Sequence, residues 1–244
     1  MPRFDVIAFD ADDTLWHNER LYLQTQAKLA GLLAGYGVDS KTLEERLYQT
    51  ENHNIRVFGY GIKSFTLSMI ETGIELTGGR LSGPDVLVII DLARAQLDAP
   101  VELLEHVRAA VSRLAARHRL MMITKGDLLD QETKLARSGL GEFFRDIEVV
   151  SDKTPQSYAR LFKNHVLAPG NVLMVGDSLR SDILPVLELG GYAVYIPYPG
   201  AWLHEAAEAP ASGTPRYYRL EQLGQLPRLL EQLELPGSLS ENST

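Results

Sequence analysis

Four aspartates and one lysine are the residues of this 244-residue chain best placed to do chemistry. Asp10 and Asp12 lie two positions apart directly after the apolar run Phe4–Phe9, and Asp177 with Asp182 follows a second apolar run, Val172–Val175. Carboxylates packed together repel and raise one another's proton affinity unless a cation neutralises them. An oxygen-only donor set without His or Cys suits Mg²⁺, which takes one or two carboxylates, keeps several waters and often shares an oxygen of a substrate phosphate. Thr124 supplies a hydroxyl and Lys125-Gly126 backbone amides at another strand end, while Lys153 gives a point charge able to hold a phosphate against the carboxylates. Each residue alone has a plainer reading: Asp10 and Asp12 as a turn or capping pair, Thr124 as a turn hydroxyl, Lys153 as a solvated lysine, Asp182 as a cap in the first turn of a helix. Their common position immediately after strands favours a metal-assisted phosphate site.

The elements that must position them are legible from periodicity. Short apolar runs end abruptly in polar loops: Phe4–Phe9 in Asp10–Thr14, Leu120–Ile123 in Thr124–Asp127, Ile147–Val150 in Ser151–Lys153, Val172–Val175 in Gly176–Ser178, and a fifth run covers Tyr192–Ile196. Between them the spacing of Leu103, Leu104, Val107, Val111 and Leu114, with Pro100 near the start, predicts a helix, and others are expected over Leu128–Ser138 with Gly139 as a left-handed cap, after Pro155, and around Ile183–Leu189. Strands alternating with helices imply a parallel sheet covered on both faces with right-handed crossovers, an α/β architecture whose ligands bind beyond the strand carboxyl ends. The polar clusters around Asp10, Thr124, Lys153 and Asp177 should therefore converge on one sheet edge. From about Trp16 to Asp98 the pattern is helical with no strand–loop–helix unit and reads as an inserted helical domain. A short strand near Tyr217-Tyr218, a helix over Leu223–Leu233 and a disordered tail from Pro236 to Thr244 complete the expectation.

The order Asp10-x-Asp12-x-Thr14, then Thr124, then Lys153, then Gly176-Asp177-Ser178-x-x-x-Asp182 resembles the haloacid-dehalogenase-like hydrolase superfamily, with all its motifs in sequence and at strand ends. The resemblance implies a Rossmann-like core over residues 1–15 and 99–235, with residues 16–98 as a helical cap inserted after the first motif. Residue by residue, it makes Asp10 the nucleophile that forms an aspartyl-phosphate with its other oxygen on Mg²⁺. Asp12 becomes the general acid and then base, with its backbone carbonyl on the metal. Thr124 and the following amide bind phosphate, Lys153 offsets the charge of Asp10 and the phosphoryl oxygens, Asp177 ligates Mg²⁺, and Asp182 supports the metal directly or through water. Thr14, Lys125, Gly126, Trp16 and Tyr60 complete the substrate-binding set. Two departures stand out: Lys125 follows the motif-two hydroxyl where many relatives carry a small residue or Asn, and Thr154 separates Lys153 from Pro155 where many have proline directly.

The implied activity is Mg²⁺-dependent hydrolysis of a small phosphomonoester. A phosphomutase shares the nucleophile and acid. A dehalogenase of the same fold needs neither Asp12 as acid nor the metal carboxylates, and a phosphonatase wants a Schiff-base lysine from the insert, for which Lys28, Lys41 and Lys63 are placed. A catalytically silent phosphate-binding relative is disfavoured by intact Asp10, Asp12, Lys153 and Asp177. Leaving-group readers are expected in the segment Glu51–Gly61, with His53, Arg56, Phe58 and Tyr60 as candidates, and beside the first motif in Trp16, His17 and Asn18; core packing is an equal alternative for the aromatics.

Composition narrows the rest. With 45% hydrophobic and 23% charged residues the chain is of globular type, and its longest aliphatic run, Val86–Ile90, is far short of the roughly 18 apolar residues of a spanning helix. Lys+Arg 24 against Asp+Glu 32 gives a net charge of −8 with no basic patch, so neither nucleic acid nor a membrane is an expected partner, and a small phosphorylated metabolite is. The absence of cysteine excludes disulfides, thiolate metal sites and cysteine nucleophiles. The start Met1–Asp5 has no apolar signal region, giving a cytoplasmic expectation, and nothing in the sequence indicates an oligomeric state.

Overall fold

A computed structural model describes residues 4–200 and 207–234. The expected tail lies outside the described residues. The chain divides into two compact units, one of Met1–His17, Val101–Thr124 and Leu135–Thr244, the other of Asn18–Pro100 with Lys125–Lys134.

The first unit is built on six strands: β1 (Val6–Phe9), β2 (Leu120–Lys125), β3 (Asp146–Val150), β4 (Val172–Gly176), β5 (Tyr192–Tyr195) and β6 (Tyr217–Arg219). They are ordered β3-β2-β1-β4-β5-β6, and β1–β2, β1–β4, β4–β5 and β5–β6 pair in parallel. Alternate residues of a strand face opposite ways, which explains why β1 is apolar throughout. Ile7 and Phe9 pack with Val107, Val111, Leu226 and Leu230 on one face; Val6 and Ala8 pack with Tyr158, Leu161, Phe162 and Val186 on the other. The helices involved are α5 (Val107–Ala115) and α9 (Leu226–Glu234) on the first face, α7 (Pro155–Asn164) and α8 (Leu184–Glu188) on the second. This is the expected Rossmann-like α/β core.

The second unit holds α1 (Glu19–Ala34), α2 (Ser40–Phe58), α3 (Ile62–Leu76) and α4 (Gly83–Asp98), together with the first turns of α6 (Leu128–Ser138). Leu29, Leu33, Leu43, Leu47, Ile62, Phe65, Met69 and Ile89 form its core. Asp39 and Ser82 accept from the backbone N–H of Thr42 and Asp85 and so cap α2 and α4.

Two expected boundaries move. The helix expected from Leu103 starts only at Val107, because Leu103 forms an antiparallel bridge with Trp16 and Leu104 N–H donates to Leu15 O, so 101–106 is a docking segment rather than a first turn. The helix expected around Ile183–Leu189 is α8 preceded by a wide π-type turn over Leu179–Ile183. Gly139 does take the left-handed conformation, at φ 67°. No helix among the described residues is long and apolar enough to cross a membrane.

Candidate active site

The sheet order reverses its direction of growth between β1 and β4, the place where a crevice opens beyond the strand ends. Asp10 is the first residue after β1, and its N–H donates to Val175 O at 2.9 Å, extending the ladder by one step. Asp177 is the first residue after β4. Register alone therefore sets these two carboxylates side by side.

Asp10, Asp177 and Asp182 offer oxygens that all lie within 4.8 Å of one another. Lys153 Nζ donates to Asp10 Oδ1 and, at 2.7 Å, to Asp182 Oδ1. Lys153, Asp10 and Asp182 are all buried. Lys153 follows β3 by three residues and precedes α7, whose first turn is fixed by a capping box: Ser157 N–H donates to Thr154 Oγ1, and Thr154 N–H to Ser157 Oγ. The residue that separates this lysine from Pro155 is thus a helix cap, and the ammonium still reaches both aspartates.

Asp182 is held from two sides, since its Oδ2 accepts from Ser178 N–H at 3.1 Å while Oδ1 accepts from Lys153. Gly176 is required beside it: a Cβ there would stand 2.2 Å from Asp182 Oδ2. Thr14, expected in the substrate-binding set, is buried and donates through Oγ1 to Asp177 Oδ1 at 3.2 Å, which orients the carboxylate. Thr124 is buried at the end of β2.

Electrostatics mark the cluster as short of positive charge. Burial pushes the Asp10 carboxyl up to about 7, with the Asp182 carboxylate adding to the effect and Lys153 opposing it. Burial, then Asp10 and Asp182, raises Asp177 well above the usual carboxylate range. Burial works against the Lys153 charge, but Asp10 and Asp182 outweigh it and raise the ammonium well above its ordinary value. One ammonium facing three carboxylates leaves an excess of negative charge that a hard divalent cation would remove, and the donors are all oxygen. The residues present fit Mg²⁺.

Asp12 Oδ1 accepts from the Trp16 indole N–H at 2.7 Å, and its charge also raises Asp10. Of the two readings of Trp16, leaving-group contact and core packing, its full burial in the core fits the second. Leu103 docks across Trp16 as an antiparallel bridge, and Trp16 joins the core cluster that includes Phe9, Leu15 and Val111. His17 pairs through Nδ1 with Tyr198 OH at 2.8 Å, a tyrosine after β5 that the sequence reading passed over because nothing local marks it.

Lys125 and Gly126 follow Thr124 but fall in the other compact unit. The Lys125 ammonium lies 4.0 Å from the centre of the Tyr60 ring, a cation–π contact. Gly126 turns at φ 118°, where a side chain would also press on Gln131. Lys63, a Schiff-base candidate, has an exposed ammonium paired with Asp127 Oδ1 at 3.1 Å, which is not the desolvated amine that such chemistry needs. His53 and Arg56 are exposed on α2, as is Phe58.

Known proteins resemble this chain in sequence and fold. The chain is 40% identical to a haloacid dehalogenase-like family hydrolase from Xanthomonas campestris, with a TM-score of 0.85 over 95% of this chain and 92% of that one. It is 26% identical to the pyrimidine 5'-nucleotidase YjjG of Escherichia coli over 93% of this chain and 98% of the relative. Against the N-acylneuraminate-9-phosphatase of Rattus norvegicus the identity is 27% over 56% of this chain, and the match spans only 55% of that relative's length. The family model for haloacid dehalogenase-like hydrolases matches residues 4–190, the stretch that carries Asp10, Asp12, Thr124, Lys153, Asp177 and Asp182, and the chain belongs to that family of enzymes.

Proposed function

We propose that this hydrolase is a Mg²⁺-dependent phosphatase that cleaves a small phosphomonoester by way of an aspartyl-phosphate on Asp10. The observation that carries the reading is the buried Lys153 ammonium bridging Asp10 and Asp182 inside a three-carboxylate cluster. Phosphoryl transfer is dominated by positioning and charge stabilisation, and this cluster supplies a fixed nucleophile and a fixed cation. Its phosphatase relatives, the nucleotidase and the N-acylneuraminate-9-phosphatase, act on small phosphate esters by name, which is consistent with the same class of substrate.

In the first step an Asp10 oxygen attacks phosphorus, the bond to the leaving oxygen breaks, and Asp12 passes its proton to that oxygen, releasing the alcohol. In the second, Asp12 takes a proton from water, the hydroxide oxygen attacks phosphorus, and the bond to Asp10 breaks to give inorganic phosphate and a free carboxylate. Lys153 holds the nucleophile's orientation and balances the phosphoryl charge, while Thr124 and the backbone amide that follows it bind phosphoryl oxygens. Asp182 fixes Lys153, and Thr14 fixes Asp177. Asp10 and Asp177, with the Asp12 carbonyl, would hold Mg²⁺, whose chemistry there is to neutralise charge and polarise the phosphoryl group. Halide displacement from carbon needs neither the Asp12 proton nor Asp177, so the site is richer than dehalogenation requires.

The test is release of phosphate from a panel of nucleoside monophosphates, sugar phosphates and p-nitrophenyl phosphate. Wild-type protein with Mg²⁺ is expected to turn over at least one ester, and Asp10→Asn to lose about a thousandfold or more in kcat, in line with loss of a covalent nucleophile. An Asp10→Asn variant as fast as wild type, or turnover undiminished in EDTA, would contradict the reading.

A further inference from the structure

We propose that Trp16 is a positioning residue for the acid–base group Asp12, its indole N–H fixing the carboxyl so that Oδ2 is the oxygen that gives and takes the proton. The inference rests on the reading of Asp12 as acid and base given above. Trp16 Nε1 donates to Asp12 Oδ1 at 2.7 Å, across only four residues of chain. An indole N–H is a donor without acceptor capacity, so it can hold one carboxyl oxygen but cannot enter the proton relay. With Oδ1 committed to that bond, the transferable proton belongs on Oδ2.

The post that carries this N–H is rigid. Trp16 is fully buried within the core cluster that includes Phe9, Leu15 and Val111. Its backbone closes the loop on itself, since Asp13 N–H donates to Trp16 O at 2.8 Å and Leu15 N–H to Ala11 O at 2.8 Å. Outside the loop, Trp16 bridges to Leu103, Leu104 N–H donates to Leu15 O at 3.0 Å, and His17 N–H to Glu102 O at 3.0 Å. Asp13 sits at φ 61°, an uncommon conformation for a non-glycine residue that the loop geometry enforces. A strained, doubly anchored loop with its one indole N–H on the side chain two residues after the nucleophile is a device for orientation, and small misplacements of a catalytic group are costly.

A core tryptophan that merely satisfies its N–H would affect folding but not the dependence on leaving group. The experiment compares kcat/KM for p-nitrophenyl phosphate, whose leaving group departs readily as an anion, with phenyl phosphate, whose leaving group needs the proton more. In Trp16→Phe the ratio of the two kcat/KM values is expected to rise about tenfold over wild type, within the range of a general-acid contribution. Replacement of Trp16 by β-(3-benzothienyl)alanine, which keeps the ring volume and exchanges N–H for sulfur, gives the same comparison should Phe leave the core too loose to fold. A wild-type ratio in the benzothienyl variant overturns the inference. Asp12→Asn separates the two levels: turnover of both esters at the wild-type rate would overturn the reading of Asp12 itself, whereas loss of turnover in Asp12→Asn beside an unchanged ratio in the Trp16 variants overturns only the positioning role.

Discussion

Lys153 is the residue on which the charge balance of the site turns. Its ammonium is buried between Asp10 and Asp182, and removing one partner of a buried ionic group leaves the others uncompensated, at a cost of about 3–5 kcal/mol. Lys153→Met is therefore expected to lower Tm in EDTA, to recover part of the loss when Mg²⁺ is added, and to abolish turnover; a variant with wild-type Tm in EDTA would show that the pair does not matter to folding. Gly176 makes a companion case, because a Cβ 2.2 Å from Asp182 Oδ2 has no room without moving that carboxylate and the lysine it holds. Gly176→Ala should keep its secondary structure by circular dichroism yet lose about tenfold or more in kcat, as displacement of a catalytic group does. That Asp10, Lys153, Asp177 and Asp182 would come together was legible in sequence because each follows an apolar run. The hydrogen-bond partners of Trp16 and Thr14, Asp12 and Asp177, were not legible, because loop closure and sheet register fix them and periodicity reports neither.

At the scale of elements, the loop before α7 brings Lys153 to the site and α2 carries a further carboxyl raised by burial. The capping box at Thr154 ends the loop that follows β3, so Thr154→Ala is expected to cost about 1 kcal/mol, seen as a fall in Tm of about 2–4 °C. No change in Tm would show the cap to be dispensable. Glu51 on α2 is pushed up to about 8 by burial and then by the Glu19 carboxylate. The folded state thus binds a proton that the unfolded chain, with an ordinary carboxyl near about 4.3, releases. Stability from this group is present below that lower value and is lost as pH rises toward 8, so Glu51→Gln should raise Tm relative to wild type at pH 8.5 and change it little at pH 4.5; an equal offset at both would contradict it. The strands were readable to within a residue or two, most plainly β1, β2 and β4, where burial on both faces leaves a continuous apolar run. The helix expected from Leu103 was not, because Leu103 and Leu104 owe their apolar character to docking against Trp16 and Leu15 rather than to a helical face.

Over the whole molecule, a net charge of −8 argued against polyanionic partners, and the fold gathers four of those carboxylates near one sheet edge. Surface balance and site chemistry are separate matters: in the proposed reaction the cluster would tolerate a phosphate through Lys153 and a cation held by the aspartates. The four-helix unit was legible as an interruption of the β–α alternation. That Lys125–Lys134 groups with it was not, because the Lys125–Tyr60 and Lys63–Asp127 contacts join residues more than sixty positions apart. The proposed covalent catalysis by Asp10 is the step from which every other proposed role follows. Acid quenching of Asp12→Asn protein during reaction with p-nitrophenyl phosphate and Mg²⁺, followed by peptide mass spectrometry, should find a phosphoryl group on Asp10, since loss of the base slows hydrolysis of the intermediate. Absence of any phosphorylated Asp10 peptide in this variant and in wild type, while wild type turns over steadily and Asp10→Asn is equally active, would contradict it.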